Sequence, residues 1–102
     1  MHVMIRSRLK PDQVERNLEL LRAVYDELDT VRPEGLRYQT FQMDDEVTFV
    51  AVVQLEDGPG VLQHLEAFQR YRATVEECCD EPPVTTMLHE VGSYGFASPS
   101  RH

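Results

Sequence analysis

The segment from Val47 to Leu55, VTFVAVVQL, limits the fold more than any other part of the chain. It is almost wholly β-branched or apolar, the composition of a strand. Alternation puts Val47, Phe49, Ala51, Val53 and Leu55 on one face, and Thr48, Val50, Val52 and Gln54 on the other. Both faces are apolar at the centre, so the strand needs cover on two sides. Leu36 to Met43, just before it, mixes aromatic, Thr and long side chains, and Asp44-Asp45-Glu46 between the two runs supplies turn chemistry. The pair reads as a β-hairpin.

The remaining elements give that hairpin its setting. His2 to Leu9 alternates, with Val3, Ile5, Ser7 and Leu9 on one face and His2, Met4, Arg6 and Arg8 on the other, and reads as a first strand. Lys10-Pro11-Asp12 opens a helix: proline is tolerated in the first turn, and Asp12 and Glu15 suit its positive end. Val14, Leu18, Leu21, Tyr25 and Leu28 then recur at spacings of three and four, an amphipathic stripe that Pro33 and Gly35 end. After the hairpin, Gly58-Pro59-Gly60 opens a second helix. Val61, Leu65, Phe68, Val75 and Cys79 mark its buried side, and residues 64, 68, 71 and 75 share a face, so His64 and Tyr71 flank that stripe. Asp80 to Pro83 stops it, Val84 to Val91 reads as a fourth strand, and Gly92 to Phe96 as its extension.

The order β-α-β-β-α-β predicts an α+β, ferredoxin-like domain over residues 1–96, with 97–102 a disordered tail. A four-stranded antiparallel sheet carries both helices on one face, with strands one and three central. The uncovered face is expected to hold Met4, Arg6, Arg8, Phe41, Val50, Val52, Met87 and Val91. That is too apolar for water, so the chain is expected to form a homodimer through this open sheet face. Ser93 to Phe96 would reach across to the partner.

Charge narrows the partners. Ten Lys and Arg against eighteen Asp and Glu leave a net charge of −8. Nucleic acid and anionic lipid both call for a basic face, so neither is expected as a partner. No apolar run reaches the roughly 18 residues of a membrane span, and the N-terminus enters a strand pattern without a signal-peptide core. The only cysteines, Cys78 and Cys79, are adjacent, a poor geometry for a disulfide and no spacing for a metal site. One buried and one half-exposed thiol at a helix end is the expectation. A reduced, cytoplasmic protein fits best.

Four stretches resemble a known family. Leu9-Lys10-Pro11 leads from strand one into the helix. Pro33-Glu34-Gly35-Leu36-Arg37-Tyr38 is similar to a PG-x-x-x-Y approach to strand two. Phe49, Val50, Ala51 and Val53 resemble a third strand. Leu55-Glu56-Asp57 followed by Val61-Leu62-Gln63-His64-Leu65 is similar to a W-x-D…A-L-x-x-H-L junction. In this order and spacing they resemble the antibiotic biosynthesis monooxygenase (ABM) superfamily of dimeric α/β-barrel proteins, over nearly the whole chain. Members commonly carry Glu in strand three and Trp at its end, where this chain has Val53 and Leu55. The haem-degrading branch uses an Asn late in strand one, where this chain has Ser7.

The resemblance implies a cofactor-independent monooxygenase acting on a small aromatic or quinol-like substrate, with His64 as the catalytic residue. A neutral imidazole could take a proton from a phenol or hydroquinone and leave an electron-rich carbanion for oxygen. The plainer alternative for His64 is a surface histidine. Tyr38, Phe68, Tyr71 and Ser7 are the candidate substrate-binding residues: a buried tyrosine offers a broad apolar body with one polar handle, which suits a flat ligand. Core packing is the alternative for each. No cofactor is expected. Haem, with His64 as the axial ligand, is disfavoured by Ser7 and by the lack of any Trp. Loss of the strand-three Glu and Trp equally suits a non-catalytic binding or accessory protein of the same fold.

Overall fold

The computed structural model describes residues 1–56 and 59–95. Strand β1 (His2–Leu9) leads through a 3-10 turn (Pro11–Gln13) into helix α1 (Val14–Val31). Strands β2 (Leu36–Gln42) and β3 (Thr48–Leu55) form the hairpin. A second 3-10 turn (Pro59–His64) precedes helix α2 (Glu66–Cys78), and strand β4 (Cys79–Leu88) follows it directly. The sheet order is β2-β3-β1-β4, antiparallel throughout, with β1 and β3 central as the two most apolar alternating strands should be. This is the expected β-α-β-β-α-β ferredoxin-like arrangement.

Register follows from the alternation. Val3 pairs with Val53, Ile5 with Ala51 and Ser7 with Phe49, which puts these six side chains on the helix-covered face. Tyr38 joins them opposite Val53 and Thr40 opposite Ala51. Two clusters fill the space beneath the helices. Leu9, Leu21, Phe49, Val75, Cys78 and Cys79 form one, and Val24, Leu65, Ala67 and Phe68 the other. Each fully buried aliphatic or aromatic side chain here contributes about 1.5–3 kcal/mol.

The hairpin turn is held by one carboxylate. Asp45 accepts from the amides of Val47 (3.0 Å) and Thr48 (2.8 Å) and from the Thr48 hydroxyl (2.6 Å). These bonds, that to the Thr48 hydroxyl foremost, hold the Asp45 carboxyl below its ordinary range. Helix α1 ends with Arg32 in the left-handed region, its amide donating to the Leu28 carbonyl at 2.8 Å. Gly35 (φ 75°) then takes the turn into β2, a backbone conformation glycine adopts without cost.

Three expectations need correction. Helix two does not begin at residue 59: Leu65 is extended (φ −101°, ψ 106°) and separates the 3-10 turn from α2. The cause is a carboxylate from the other helix, since Glu27 accepts from the amides of Glu66 (3.0 Å) and Ala67 (2.8 Å) and so fixes where α2 starts. Strand four begins at Cys79 rather than Val84 and takes Pro82 and Pro83 into the sheet, which an edge strand permits. Irregular pairing between Arg6 and Leu9 absorbs the mismatch. The parity of β4 is therefore opposite to expectation. Met87 pairs with Val3 on the helix-covered side, while Val84 and Leu88, opposite Arg6 and His2, lie on the open face. Val91 lies beyond the strand and is fully exposed. Cys78 and Cys79 are free thiols and both are buried, because the helix passes into the strand between them without a loop. Phe96 and the expected tail 97–102 lie outside the described residues.

Candidate functional site

The helix-covered face of the sheet is not filled to its edge. A cavity of about 470 Å³ lies between the sheet and α2. Its floor is the alternating face set by the strand register: Val3, Ile5 and Ser7 of β1, Phe49, Ala51 and Val53 of β3, and Tyr38 and Thr40 of β2. Helix α2 contributes two adjacent stripes. Phe68, Tyr71 and Val75 form an inner one that is buried or half-buried, and Gln69, Arg72 and Glu76 form an exposed outer rim. Leu62 and Gln63 of the 3-10 turn and Pro83, Thr85 and Met87 of the edge strand add to the lining.

Four of the five sequence candidates line this one cavity: Ser7, Tyr38, Phe68 and Tyr71. The rings are ordered by edge-to-face contacts, Tyr25 on Tyr38 at 5.6 Å and Tyr38 on Phe68 at 6.0 Å between centroids. The Tyr25 hydroxyl shares a 2.6 Å hydrogen bond with Thr40, which anchors that end of the stack. The fifth candidate, His64, ends the 3-10 turn, is exposed, and is not among the residues that line the cavity. The break at Leu65 takes it off the shared helix face with Phe68, Tyr71 and Val75. Its neighbours Leu62 and Gln63 do reach the cavity.

The electrostatics favour neutral donors. Burial pushes the Tyr71 phenol up to about 12, helped by the nearby Cys79 thiol and Tyr25. Burial pushes Tyr38 higher still, with Tyr71 and Tyr25 adding to it. Tyr25 is also raised by burial, against the opposing effect of its Thr40 hydrogen bond. Tyr38 and Tyr71 are thus protonated across neutral pH. Among the described residues neither hydroxyl has a hydrogen-bond partner, and neither belongs to the fully buried unsatisfied polar atoms, so each is reached by solvent. Cys79 lies near Tyr71, its thiol pushed up by burial and by Cys78 beside it, which makes it a poor nucleophile.

Among the described residues no group of three His, Cys, Asp or Glu is placed to hold a metal ion. Haem fits poorly, since the imidazole that would ligate its iron does not line the cavity. What the arrangement can do is hold a flat apolar molecule against the sheet and present two phenol hydroxyls to its oxygens.

The outer rim had no place among the sequence candidates. Its signal is present in the spacing, because Gln69, Arg72 and Glu76 each follow a buried-stripe residue by one position. Asn17 was also missed. It is wholly buried in α1, and neither of its side-chain amide atoms has a partner among the described residues.

No protein-family model and no curated protein matches the chain. Solved structures do. Rv0793 from Mycobacterium tuberculosis is 23% identical over 90% of this chain and 95% of its own, with a TM-score of 0.72. A candidate antibiotic biosynthesis monooxygenase from Nitrosomonas europaea is 22% identical over 90% of this chain and 100% of its own, at 0.73. A further structure described as an antibiotic biosynthesis monooxygenase is 20% identical over 89% and 98%, at 0.69. The chain has the fold of the antibiotic biosynthesis monooxygenases.

Proposed function

We propose that the chain binds a small aromatic or quinol-like molecule in the cavity between its sheet and α2. The observation that carries this reading is the pair of phenol hydroxyls without a protein partner, Tyr38 and Tyr71, in a pocket with a largely apolar floor and a polar rim. A ligand oxygen would accept from each hydroxyl in place of the water that reaches it, for a net gain of about 0.5–1.5 kcal/mol apiece. Ser7 supplies a third small polar group on the floor, and Phe68 an edge for the ring. In this reading the protein is a binding module: the described lining holds no histidine, and its one carboxylate, Glu76, lies on the exposed outer rim.

The second reading is a cofactor-independent monooxygenase, favoured by the names of the structural neighbours. It needs a base. His64 can serve only if the turn Pro59–His64, whose Leu62 and Gln63 already line the pocket, swings the imidazole inward over a bound substrate. An oxygen electrode separates the two readings. With an anthrone or hydroquinone added to the purified protein, the binding reading predicts fluorescence-detected binding and no oxygen uptake. Uptake that is lost in His64→Ala would replace it with the oxygenase. No binding of either compound would remove both.

The assembly belongs to the same proposal. The open sheet face carries Met4, Phe41, Val50, Val52, Val84 and Leu88 among exposed arginines, and a second copy meeting it face to face would bury them. Among the described residues no helix is long and apolar enough to cross a membrane. A reducing cytoplasm is the compartment in which two free, adjacent thiols persist.

A further inference from the structure

We infer that the ligand carries a carboxylate, and that Arg72 at the cavity rim reads it. This rests on the proposed aromatic-ligand reading and adds the ligand's charge. The chain has an excess of acidic residues, yet Arg72 is the sole Arg or Lys among the described residues lining the cavity. It is exposed, it stands beside the inner stripe formed by Phe68 and Tyr71, and no ion pair with a described residue occupies it. Guanidinium is the side chain whose planar fork matches a carboxylate with two parallel hydrogen bonds.

The rim is also polarised. Gln69 lies one turn before Arg72, where its amide donates to the Leu62 carbonyl at 3.1 Å. Glu76 lies one turn after Arg72 and carries the opposite charge. An anion is therefore welcome at the Gln69 end of the rim and repelled at the Glu76 end. The ligand's ring lies over Val53 and Ala51 with its oxygen toward Tyr38 and Tyr71, and its carboxylate leaves the pocket between Gln69 and Arg72. The ligand class is an aromatic hydroxy acid.

Calorimetric titration of naphthol and of hydroxynaphthoic acid, the same ring without and with a carboxylate, tests this. The acid is expected to bind about tenfold tighter than naphthol, the scale of one partly exposed charge-assisted contact. Arg72→Gln, a change at an exposed site that leaves the core untouched, is expected to abolish that gap. Equal affinities in the wild type, or a gap that survives Arg72→Gln, would overturn the role of Arg72 and leave the aromatic-ligand reading standing. Binding of neither probe would overturn both.

Discussion

Tyr38 and Tyr71 make the site's chemistry visible as a pH dependence of stability. In the unfolded chain both phenols ionise near pH 10. In the folded chain Tyr71 holds its proton to about 12 and Tyr38 beyond it, chiefly because burial penalises the phenolate. Above pH 10 the folded state therefore binds more protons than the unfolded one. The sign is fixed: stability is intact below pH 10 and is lost as pH rises through 12. For Tyr71 the rise from the ordinary phenol value to about 12 corresponds to about 2–3 kcal/mol. Urea unfolding at stepwise pH should show the wild-type midpoint falling steeply across this window. Tyr71→Phe has no proton to lose and should fall less steeply, whatever its stability at neutral pH. Parallel curves for the two proteins would mean that the Tyr71 phenol is solvated. These residues were legible in the sequence because a tyrosine beside an apolar helical stripe, or on the apolar face of a strand, has nowhere else to point. Asn17 was not, since an asparagine on a buried stripe looks the same in sequence as one on a helix shoulder.

Between elements, the contact that most shaped the site is the carboxylate of Glu27 at the start of α2. It joins two helices whose contacting residues are 39 and 40 positions apart. No local pattern encodes it. The run Val61 to Val75 reads as one helix, and a continuous helix would have put His64 in phase with Phe68, Tyr71 and Val75. The cap starts the helix at Glu66 instead and leaves His64 on the preceding turn. Strand β4 failed to read for a related reason. Its prolines are ordinary stop signals, and only the pairing with β1, at the sheet edge, makes them tolerable. The hairpin was legible throughout, because Asp45 organises its turn through residues two and three positions away. Glu27→Gln is expected to cost about 1–2 kcal/mol, the value of a charged cap on two backbone amides. The guanidinium midpoint should drop with an unchanged slope. A midpoint equal to that of the wild type would mean that solvent caps α2 as well as Glu27 does.

At the scale of the whole molecule, the two faces of the sheet have opposite problems. The helix-covered face has more room than its side chains fill, which is the cavity. The open face leaves apolar side chains uncovered in one chain: Phe41 is 49% and Val84 59% exposed, with Met4, Val50 and Val52 half-buried between them. The proposed sister molecule would solve the second problem, and a stable interface of this kind buries upward of about 1,000 Å². Val52 is the sensitive position, being central on β3 and flanked by Met4 on one side and Gln39 on the other. A charge there faces solvent in a monomer at little cost and faces apolar surface in a dimer at a cost of several kcal/mol. Light scattering of the wild-type protein at micromolar concentration should give about twice the 11.8 kDa of one chain. Val52→Glu should give the one-chain mass and keep its circular-dichroism spectrum. A wild-type protein that is monodisperse at the one-chain mass would mean that the open face tolerates water, and the face-to-face assembly would go with it.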